Sequence, residues 1–328
     1  MESTKEAITD LHRRLADVGY PVAKTEVEQK IFGTETKKQL SLFQKNRGLR
    51  VTGHFDEVTF STLIEAGYQL GDRNLYLHSP MIKGDDVADL QFQLSSLGFD
   101  TGRIDGVFGP DTAKALADFQ HNTGLAPDGI AGTHTVISLK QLTSRESEQI
   151  PVAKVREIEK LLQANFFLKN RKIAIGQFGS CAVLANAIVK NLRNTGAQVM
   201  LLDHPDENHQ AKVVNNFDAE VYLGIDVEND SHLQACYFSA PGFQSEGGLR
   251  LAHRCVTELS ESLFNNCKTT GMRIPILRAT KMPAVFCVLG PPQKVVKKTN
   301  EIAIALSKAI TAWVEDPASL IKTETTNI

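Results

Sequence analysis

The chain has 328 residues, of which 42% are hydrophobic and 23% charged, the balance of an ordinary globular protein with room for two or three domains. Its formal net charge is −2, with acidic and basic residues interspersed, so the composition gives no electrostatic basis for binding nucleic acid or an anionic membrane. The longest apolar run, residues 283–290, is too short to span a bilayer, and no transmembrane segment is predicted.

The start of the chain predicts a helix rather than an export signal. Residues 1–15 form a polar, amphipathic pattern, without the apolar segment and cleavage site that are typical of a secretory signal. The five cysteines are scattered and do not form closely spaced pairs, as is typical of reduced thiols in a cytosolic protein. We therefore expect a cytoplasmic protein without a paired-cysteine zinc site.

A block of the N-terminal half occurs twice. Residues 32–36 return 76 residues later as 108–112, and the Phe-Gln pair at 43–44 returns at 119–120. Upstream the match continues at an offset of 79, so the first copy carries three extra residues around 24–28. Self-similarity on this scale indicates one structural unit used twice.

Each copy predicts three helices with a leucine stripe on the inner face of the first helix. The inner face of the second helix carries Leu40 and Phe43 in repeat 1, and Leu116 and Phe119 in repeat 2. Helix ends are marked by Gly19 and Gly98 after the first helix, Thr34 and Asp111 at the start of the second, and Glu57 and Thr133 at the start of the third.

The repeated pattern resembles the three-helix peptidoglycan-binding domain that accompanies bacterial cell-wall hydrolases. Repeat 2 is the better match, with Asp-Gly-Val-Phe-Gly at 105–109 and Asp-Gly-Ile-Ala-Gly at 128–132. Repeat 1 departs from it, because Gln-Lys at 29–30 replaces Asp-Gly and Thr52 replaces Asp128. Most of the matching residues are of types that build the core and the turns. The resemblance implies the fold for both repeats and favours repeat 2 for contact with glycan.

Residues 143–151 are polar and end in proline, which is typical of a linker. Residues 152–167 place apolar side chains at helical spacing and predict an amphipathic helix that docks on the following domain. The predicted organisation is repeat 1 at 1–70, repeat 2 at 76–142, linker and helix at 143–170, an α/β domain at 171–316 and a polar tail at 317–328.

From Lys172 onward the pattern changes to alternating strands and helices. Alternation of this kind predicts an α/β domain with a mostly parallel sheet and helices on both faces. Strands are predicted at 173–175, 198–202, 220–225, 235–239 and 283–289, and helices at 182–192, 249–264 and 295–314.

Residues 277–285 resemble the strand entry of the zinc-dependent N-acetylmuramoyl-L-alanine amidases, which cleave the amide bond between muramic acid and the stem peptide. The order of elements in residues 172–315 fits the same family. Residues 218–221 resemble the approach to its strand that carries a zinc-binding histidine. Such domains travel with peptidoglycan-binding modules, so the two resemblances agree.

The residues that this family uses for catalysis are missing. The family holds zinc through two histidines and one glutamate, and a further glutamate handles protons. Residues 176–180, where the first histidine is expected, contain none, and residues 181–190 contain no acidic residue. The second histidine falls on Asp226 and the last glutamate on Val288. The resemblance thus implies four vacated positions and no catalytic residue.

Other side chains could rebuild such a site only in part. Asp226 and His232 lie around one strand end and could meet there, but zinc needs a third ligand, and Val288 cannot accept a proton. Isolated surface side chains are therefore the favoured interpretation. A nucleophilic Cys181 or Cys287 is a weaker hypothesis, because Cys287 lies in an apolar strand. The further potential ligands are His204, His209, His253, Glu228 and Asp230.

The polar tail contains Thr323, Thr325 and Thr326. A frayed terminus is one interpretation. The other is phosphorylation, because a phosphothreonine offers a dianion to an arginine-lined module such as a forkhead-associated domain. The whole architecture resembles the cytoplasmic amidase-like regulators of actinobacterial cell-wall synthesis, which Ser/Thr kinases control.

Three functions follow from these patterns. The first is a catalytically inactive amidase homologue, without a cofactor, that regulates or scaffolds cell-wall synthesis, binds peptidoglycan or its precursors and contacts cell-wall synthesis proteins. The alternative is an active N-acetylmuramoyl-L-alanine amidase that hydrolyses the muramic acid–L-alanine bond with zinc in a rebuilt site. The third is a plain wall-binding protein.

Overall fold

The computed structural model describes residues 2–143, 150–163, 167–179, 181–229, 232–260, 263–264 and 266–316. The chain divides into two compact units, Met1–Val155 with Ala240–Phe243, and Arg156–Ser239 with Gln244–Ile328. Helical repeats are followed by an α/β domain with a mostly parallel sheet, so the predicted fold class is confirmed. None of the described helices combines the length and the apolar character needed to cross a bilayer.

Repeat 1 contains the three predicted helices and one that the sequence did not predict. The extra helix, α2, covers the segment with the three additional residues. The bounds are α1 (Glu2–Asp17), α2 (Lys24–Gln29), α3 (Thr34–Asn46) and α4 (Glu57–Ala66). The core consists of Leu11, Leu15, Leu40, Phe43, Leu49 and Leu63.

Repeat 2 has the same three helices around a larger core. Leu70 and Leu75, from the segment between the repeats, pack into this core. The second helix begins one residue earlier than Asp111, with Gly109 rather than a polar side chain at the N-cap. The helices are α5 (Asp85–Ser96), α6 (Pro110–Asn122) and α7 (Thr133–Thr143). The other core residues are Val87, Leu90, Leu94, Phe108, Ala115, Leu116, Phe119, Ala131, Val136 and Leu139.

The Phe-Gln pair of each repeat is structural. Phe43 and Phe119 are fully buried. The buried amide of Gln120 donates to Ile130 O (3.0 Å) and accepts from Gly129 N (2.9 Å). In repeat 1 Gln44 makes the equivalent bonds with the turn before α4. Because a buried polar group without a partner costs about 1–3 kcal/mol, the glutamine fixes this turn.

The two repeats differ in how the start of the second helix is held. In repeat 2 Gln91 accepts from Gly106 N (2.8 Å) and donates to Val107 O (3.0 Å). The equivalent residue in repeat 1 is His12, whose Nε2 lies 2.8 Å from Thr36 Oγ1. The Thr36 hydroxyl donates to Glu26 Oε2 (2.7 Å).

Glu26 belongs to the inserted helix α2 and caps α3. Its carboxylate accepts from the N–H groups of Gly33 (3.2 Å), Glu35 (2.9 Å) and Thr36 (2.9 Å). These bonds satisfy donors that a helix start otherwise leaves unpaired. In repeat 1 the inserted helix therefore holds the start of the second helix, the role that the Asp-Gly loop and Gln91 have in repeat 2.

Helix α8 (Val152–Gln163) is present as the sequence predicted, and from Arg156 onward it belongs to the second unit. Leu161 belongs to the core of the α/β domain. Glu157 accepts from Ser245 Oγ (2.6 Å) and from Glu246 N (3.2 Å), at the start of a later helix. The greater part of the predicted linker, residues 144–149, lies outside the described residues.

Within the described residues the sheet has seven strands, six of them in the order β2-β1-β3-β7-β4-β5, and β6 pairs with β4. Strands β2, β1, β3 and β7 are parallel, and β4 runs antiparallel to β7. The elements in chain order are β1 (Lys172–Phe178), α9 (Ala182–Asn194), β2 (Gln198–Asp203), α10 (Glu207–Asn216), β3 (Val221–Val227), β4 (Leu233–Ala240), β5 (Phe243–Gln244), α11 (Glu246–Ser260), β6 (Cys267–Met272), α12 (Pro275–Ala279), β7 (Ala284–Leu289), α13 (Pro292–Lys297) and α14 (Thr299–Glu315).

The five predicted strands and the helix at 182–192 are present. Two predictions need correction. The helix expected at 295–314 is two helices, α13 and α14, and α11 begins at Glu246 rather than at Leu249. The segments of α10, β5, β6 and α12 were not predicted. On one face, Ile173, Ile175 and the odd-numbered residues of β3 pack against α9, α11 and α14.

We expect the stability of repeat 1 to depend on the protonation of His12. Thr36 gives its only hydroxyl proton to Glu26, so Nε2 of a neutral His12 must donate to Thr36. Burial lowers the pKa of His12, and its Nδ1 is buried without a partner. The contribution of neutral His12 to the free energy of unfolding should be complete above the unfolded pKa of about 6.5. It should decrease as the pH falls through that value toward the lowered pKa of the folded state.

The measurement is thermal unfolding of the full chain between about pH 7.5 and pH 5, which brackets the histidine range. The matched variant is H12Q, which carries the residue that repeat 2 has at Gln91. Other titrating groups contribute equally to both proteins, so H12Q should lose less stability on acidification than the wild type. Identical pH profiles would contradict this role of His12.

Candidate functional site

Three parallel strands end side by side at one edge of the sheet. The register pairs Phe178 of β1 with Asp226 of β3, and Asp226 with Val288 of β7. These three residues therefore form a row along the carboxyl ends of the strands, the edge at which α/β domains usually bind ligands. This is the edge to which the amidase resemblance assigns the metal and catalytic positions.

The row offers little metal-binding chemistry. Phe178 and Val288 are each only 7% exposed, and the Phe178 ring lies 5.3 Å from that of Phe286. Between them Asp226 is half-buried and its carboxylate accepts from Val227 N (2.9 Å). A zinc ion that catalyses hydrolysis needs three N or O ligands from the protein and an open coordination position. One carboxylate between two apolar side chains does not fit that ion.

Of the other predicted ligands, His232 lies beside Glu228, with Nε2 3.9 Å from Oε2. The carbonyl of His232 accepts from Gly290 N (3.0 Å), just after β7. Strand β7 thus lies between the strand that carries Asp226 and the one that follows His232. His253 is exposed on α11. Asp230 lies outside the described residues.

The structure brings together a histidine pair that sequence reasoning did not single out. The rings of His204 and His209 are stacked, with centroids 4.1 Å apart. Nδ1 of His204 accepts from Asp206 N (3.1 Å), so in the neutral ring the proton is on Nε2, and Nε2 has no lone pair for a metal. Across the described ranges, no group of three His, Cys, Asp or Glu side chains could hold a metal ion.

A buried polar network fixes the end of β1. Gln210 of α10 donates to the carbonyls of Gln177 (3.1 Å) and His204 (2.7 Å), and it accepts from the Tyr222 hydroxyl (2.9 Å). A Cβ at Gly176 would lie 2.1 Å from the Tyr222 oxygen, so only glycine fits there. No pattern in the sequence indicated this network, because its central glutamine is on a helix that was not predicted.

The cysteines near this edge are held as neutral thiols. Burial, with a smaller effect of the Asp226 charge, raises the pKa of Cys181 to about 11. A hydrogen bond with Cys255, together with burial, raises the pKa of Cys287 well above its usual range. A nucleophilic cysteine needs a lowered pKa and an accessible sulfur. These two thiols have neither.

We therefore expect slow alkylation of Cys181 and Cys287 in the folded protein. At about pH 8 a thiol of pKa 11 is a thiolate in about one molecule in a thousand. Iodoacetamide should modify the half-buried Cys267 first, as followed by mass spectrometry of peptides over time. Denaturant should make all five cysteines reactive. Rapid modification of native Cys181 would revive the nucleophile hypothesis.

A second candidate site lies in repeat 2. It is an open groove of about 520 Å³, with α6 as one wall and the turn before α7 as the opposite wall. Leu75 and Ala131 exchange backbone hydrogen bonds of 3.4 and 2.8 Å, which fasten the segment between the repeats to that turn. The groove is lined by Tyr76, Leu77, Ala113, Lys114, Ala117, Pro127, Asp128, Gly129 and Ile130.

The equivalent surface of repeat 1 is filled by side chains. Lys37 stands where repeat 2 has Ala113, and a Cβ at Gly53 would lie 2.9 Å from Lys37 Cε and 2.9 Å from Ser41 Oγ. At Gly129 the nearest such atom is Ala113 O at 3.7 Å. Repeat 1 therefore keeps the fold without an open surface at this position.

Known proteins are similar to this chain in both of its parts, the helical repeats and the α/β domain. A family described as "Putative peptidoglycan binding domain" matches residues 4–63 and 83–139, which are the two repeats. The class is thus a modular protein with two such repeats before an α/β domain, and the predicted resemblance of the repeats is confirmed.

The N-acetylmuramoyl-L-alanine amidase CwlM of Mycobacterium tuberculosis is 31% identical over 324 residues, covering 87% of this chain and 79% of that protein. The chain belongs to the N-acetylmuramoyl-L-alanine amidase family. CwlL of Bacillus licheniformis, another such amidase, is 32% identical over 40% of this chain and 42% of its own length. Among solved structures, AmiC2 of Nostoc punctiforme covers 46% of this chain and 99% of its own, with 14% identity and a TM-score of 0.37.

Proposed function

We propose that this chain is a catalytically inactive amidase homologue that binds peptidoglycan or its precursors and regulates or scaffolds cell-wall synthesis. The observation that carries the proposal is the row of Phe178, Asp226 and Val288 at the strand ends. Family membership supports the choice of cell-wall material as the ligand.

The argument against hydrolysis is chemical. A zinc amidase polarises the scissile carbonyl and activates water at the metal, and it needs a nearby group to accept and return a proton. The side chain of Val288 can do neither. Asp226 alone provides one of the three protein ligands that such a metal requires.

Binding is assigned to repeat 2. Its groove is open, and it combines apolar lining with two charged side chains, Lys114 and Asp128, as is typical of a ligand site. In repeat 1 Lys37 lies over the corresponding glycine. We assign a structural role to repeat 1 on that ground.

The cysteines support a reducing compartment, the cytoplasm. All five are free, and the thiols of Cys255 and Cys287 are hydrogen-bonded to each other in the core. In the cytoplasm the partners would be proteins of cell-wall synthesis. Thr323, Thr325 and Thr326 lie outside the described residues; we propose them as sites for a Ser/Thr kinase, for recognition by a forkhead-associated domain protein.

The test is metal analysis and muropeptide release by the purified full-length protein in buffer supplemented with zinc. We expect no stoichiometric zinc and no soluble muropeptides from purified cell walls, while a zinc amidase of known activity releases them. The matched variant D226N removes the single carboxylate of the row and should behave as the wild type does. Stoichiometric zinc with hydrolysis, both lost in D226N, would instead establish the active amidase.

A further inference from the structure

The groove of repeat 2 is poorly suited to a sugar chain. Its lining is mainly aliphatic, with Ala113, Ala117 and Ile130 among the contacts, and its one aromatic ring, Tyr76, is engaged edge-to-face by His78. A saccharide presents hydroxyls around its whole ring, and each hydroxyl buried without a partner costs about 1–3 kcal/mol. Aliphatic walls fit methyl groups better than hydroxyls.

One wall of the groove carries a fixed anion. Asp128 Oδ1 accepts from Gln120 Nε2 (2.8 Å) and Ile130 N (2.9 Å). These bonds, that of Ile130 first, hold the pKa of Asp128 below its usual range, so the carboxylate is ionised at neutral pH. Its second oxygen, Oδ2, accepts neither of these two bonds and is exposed to a ligand.

The other wall carries a cation. Lys114 is exposed on α6 and forms no ion pair with any described residue. The groove thus contains a carboxylate and an ammonium that do not neutralise each other. A ligand with one amine, one carboxylate and small apolar groups between them matches this arrangement.

Within the proposed function, on which this inference rests, we propose that the groove of repeat 2 binds the stem peptide of peptidoglycan rather than its glycan strand. Asp128 pairs with a ligand ammonium, Lys114 pairs with a ligand carboxylate, and Ala113, Ala117 and Ile130 contact alanine methyl groups. Stem peptides are short, contain alanine and carry both charges, whereas the glycan backbone carries no amine.

Repeat 1 provides an internal contrast. It has Lys37 where the groove needs the small Ala113, and Thr52 where it needs the charge of Asp128. Thr52 still accepts from Gln44 Nε2 (3.1 Å), so the structural half of the aspartate's role is kept and the charge is lost. This substitution pattern is expected if the charge at Asp128 serves a ligand and not the fold.

The experiment titrates the full chain by calorimetry with two probes. One is the free tripeptide L-alanyl-γ-D-glutamyl-diaminopimelate, and the other is a peptide-free N-acetylglucosamine oligomer. We expect saturable binding of the tripeptide and none of the oligomer. Retention on insoluble peptidoglycan is measured in parallel.

Three variants locate the binding. D128N keeps an Oδ1 acceptor for Gln120 and Ile130 but removes the charge, and it should weaken tripeptide binding about three- to fivefold, the effect of one lost ion pair at a solvent-exposed carboxylate. A113K copies the residue of repeat 1 and should abolish binding; folding is checked by circular dichroism. K38Q, at the repeat 1 position equivalent to Lys114, is the matched control and should bind as the wild type does, while K114Q should bind more weakly.

The outcomes separate this inference from the proposed function. Binding of the oligomer without the tripeptide overturns the stem-peptide inference and leaves peptidoglycan binding intact. Tripeptide binding that D128N and A113K leave unchanged also overturns it, because the site would lie elsewhere. Retention on peptidoglycan with no binding of either probe rejects the stem-peptide inference alone, and the absence of all three rejects the peptidoglycan-binding part of the proposed function as well.

Discussion

The backbone register of β1, β3 and β7 is the constraint on which the functional interpretation depends. Once the register is set, parallel pairing fixes which residues become neighbours at the strand ends. It places Phe178, Asp226 and Val288 next to one another. The parallel pairing that brings these strand ends together is regular, so the side chains decide what this edge can do.

The sequence predicts the parts of this molecule whose signals are local or repeated. The duplication specified the three helices of each repeat and core residues such as Leu40 and Leu116, because the same burial pattern occurs twice. Apolar runs specified the buried central strands. Polar β6 and short α12 were missed, because an edge strand and a single helical turn leave no periodic pattern.

The strand ends could be located from the sequence, but not the contacts made there. Apolar runs predicted the strands, and the amidase resemblance placed Asp226 and Val288 at their ends. Two contacts depend on the tertiary packing of α10: the stacking of His204 on His209 and the hydrogen bond from Tyr222 to Gln210. Neither produces a periodic pattern in the sequence from which it could be predicted. In the same way, only the structure reveals that Lys37 fills the groove position of repeat 1, because a lysine on an exposed helix face is common and carries no signal in the sequence.

The two oxygens of Asp128 have different roles, and this difference affects the affinity for a ligand. Oδ1 is committed to the turn through Gln120 and Ile130, which immobilises the whole carboxylate when the domain folds. Its rotameric freedom is therefore lost before any ligand arrives, and association need not lose it again. A single side chain in this way makes the folding of a turn and the preorganisation of a binding surface one event.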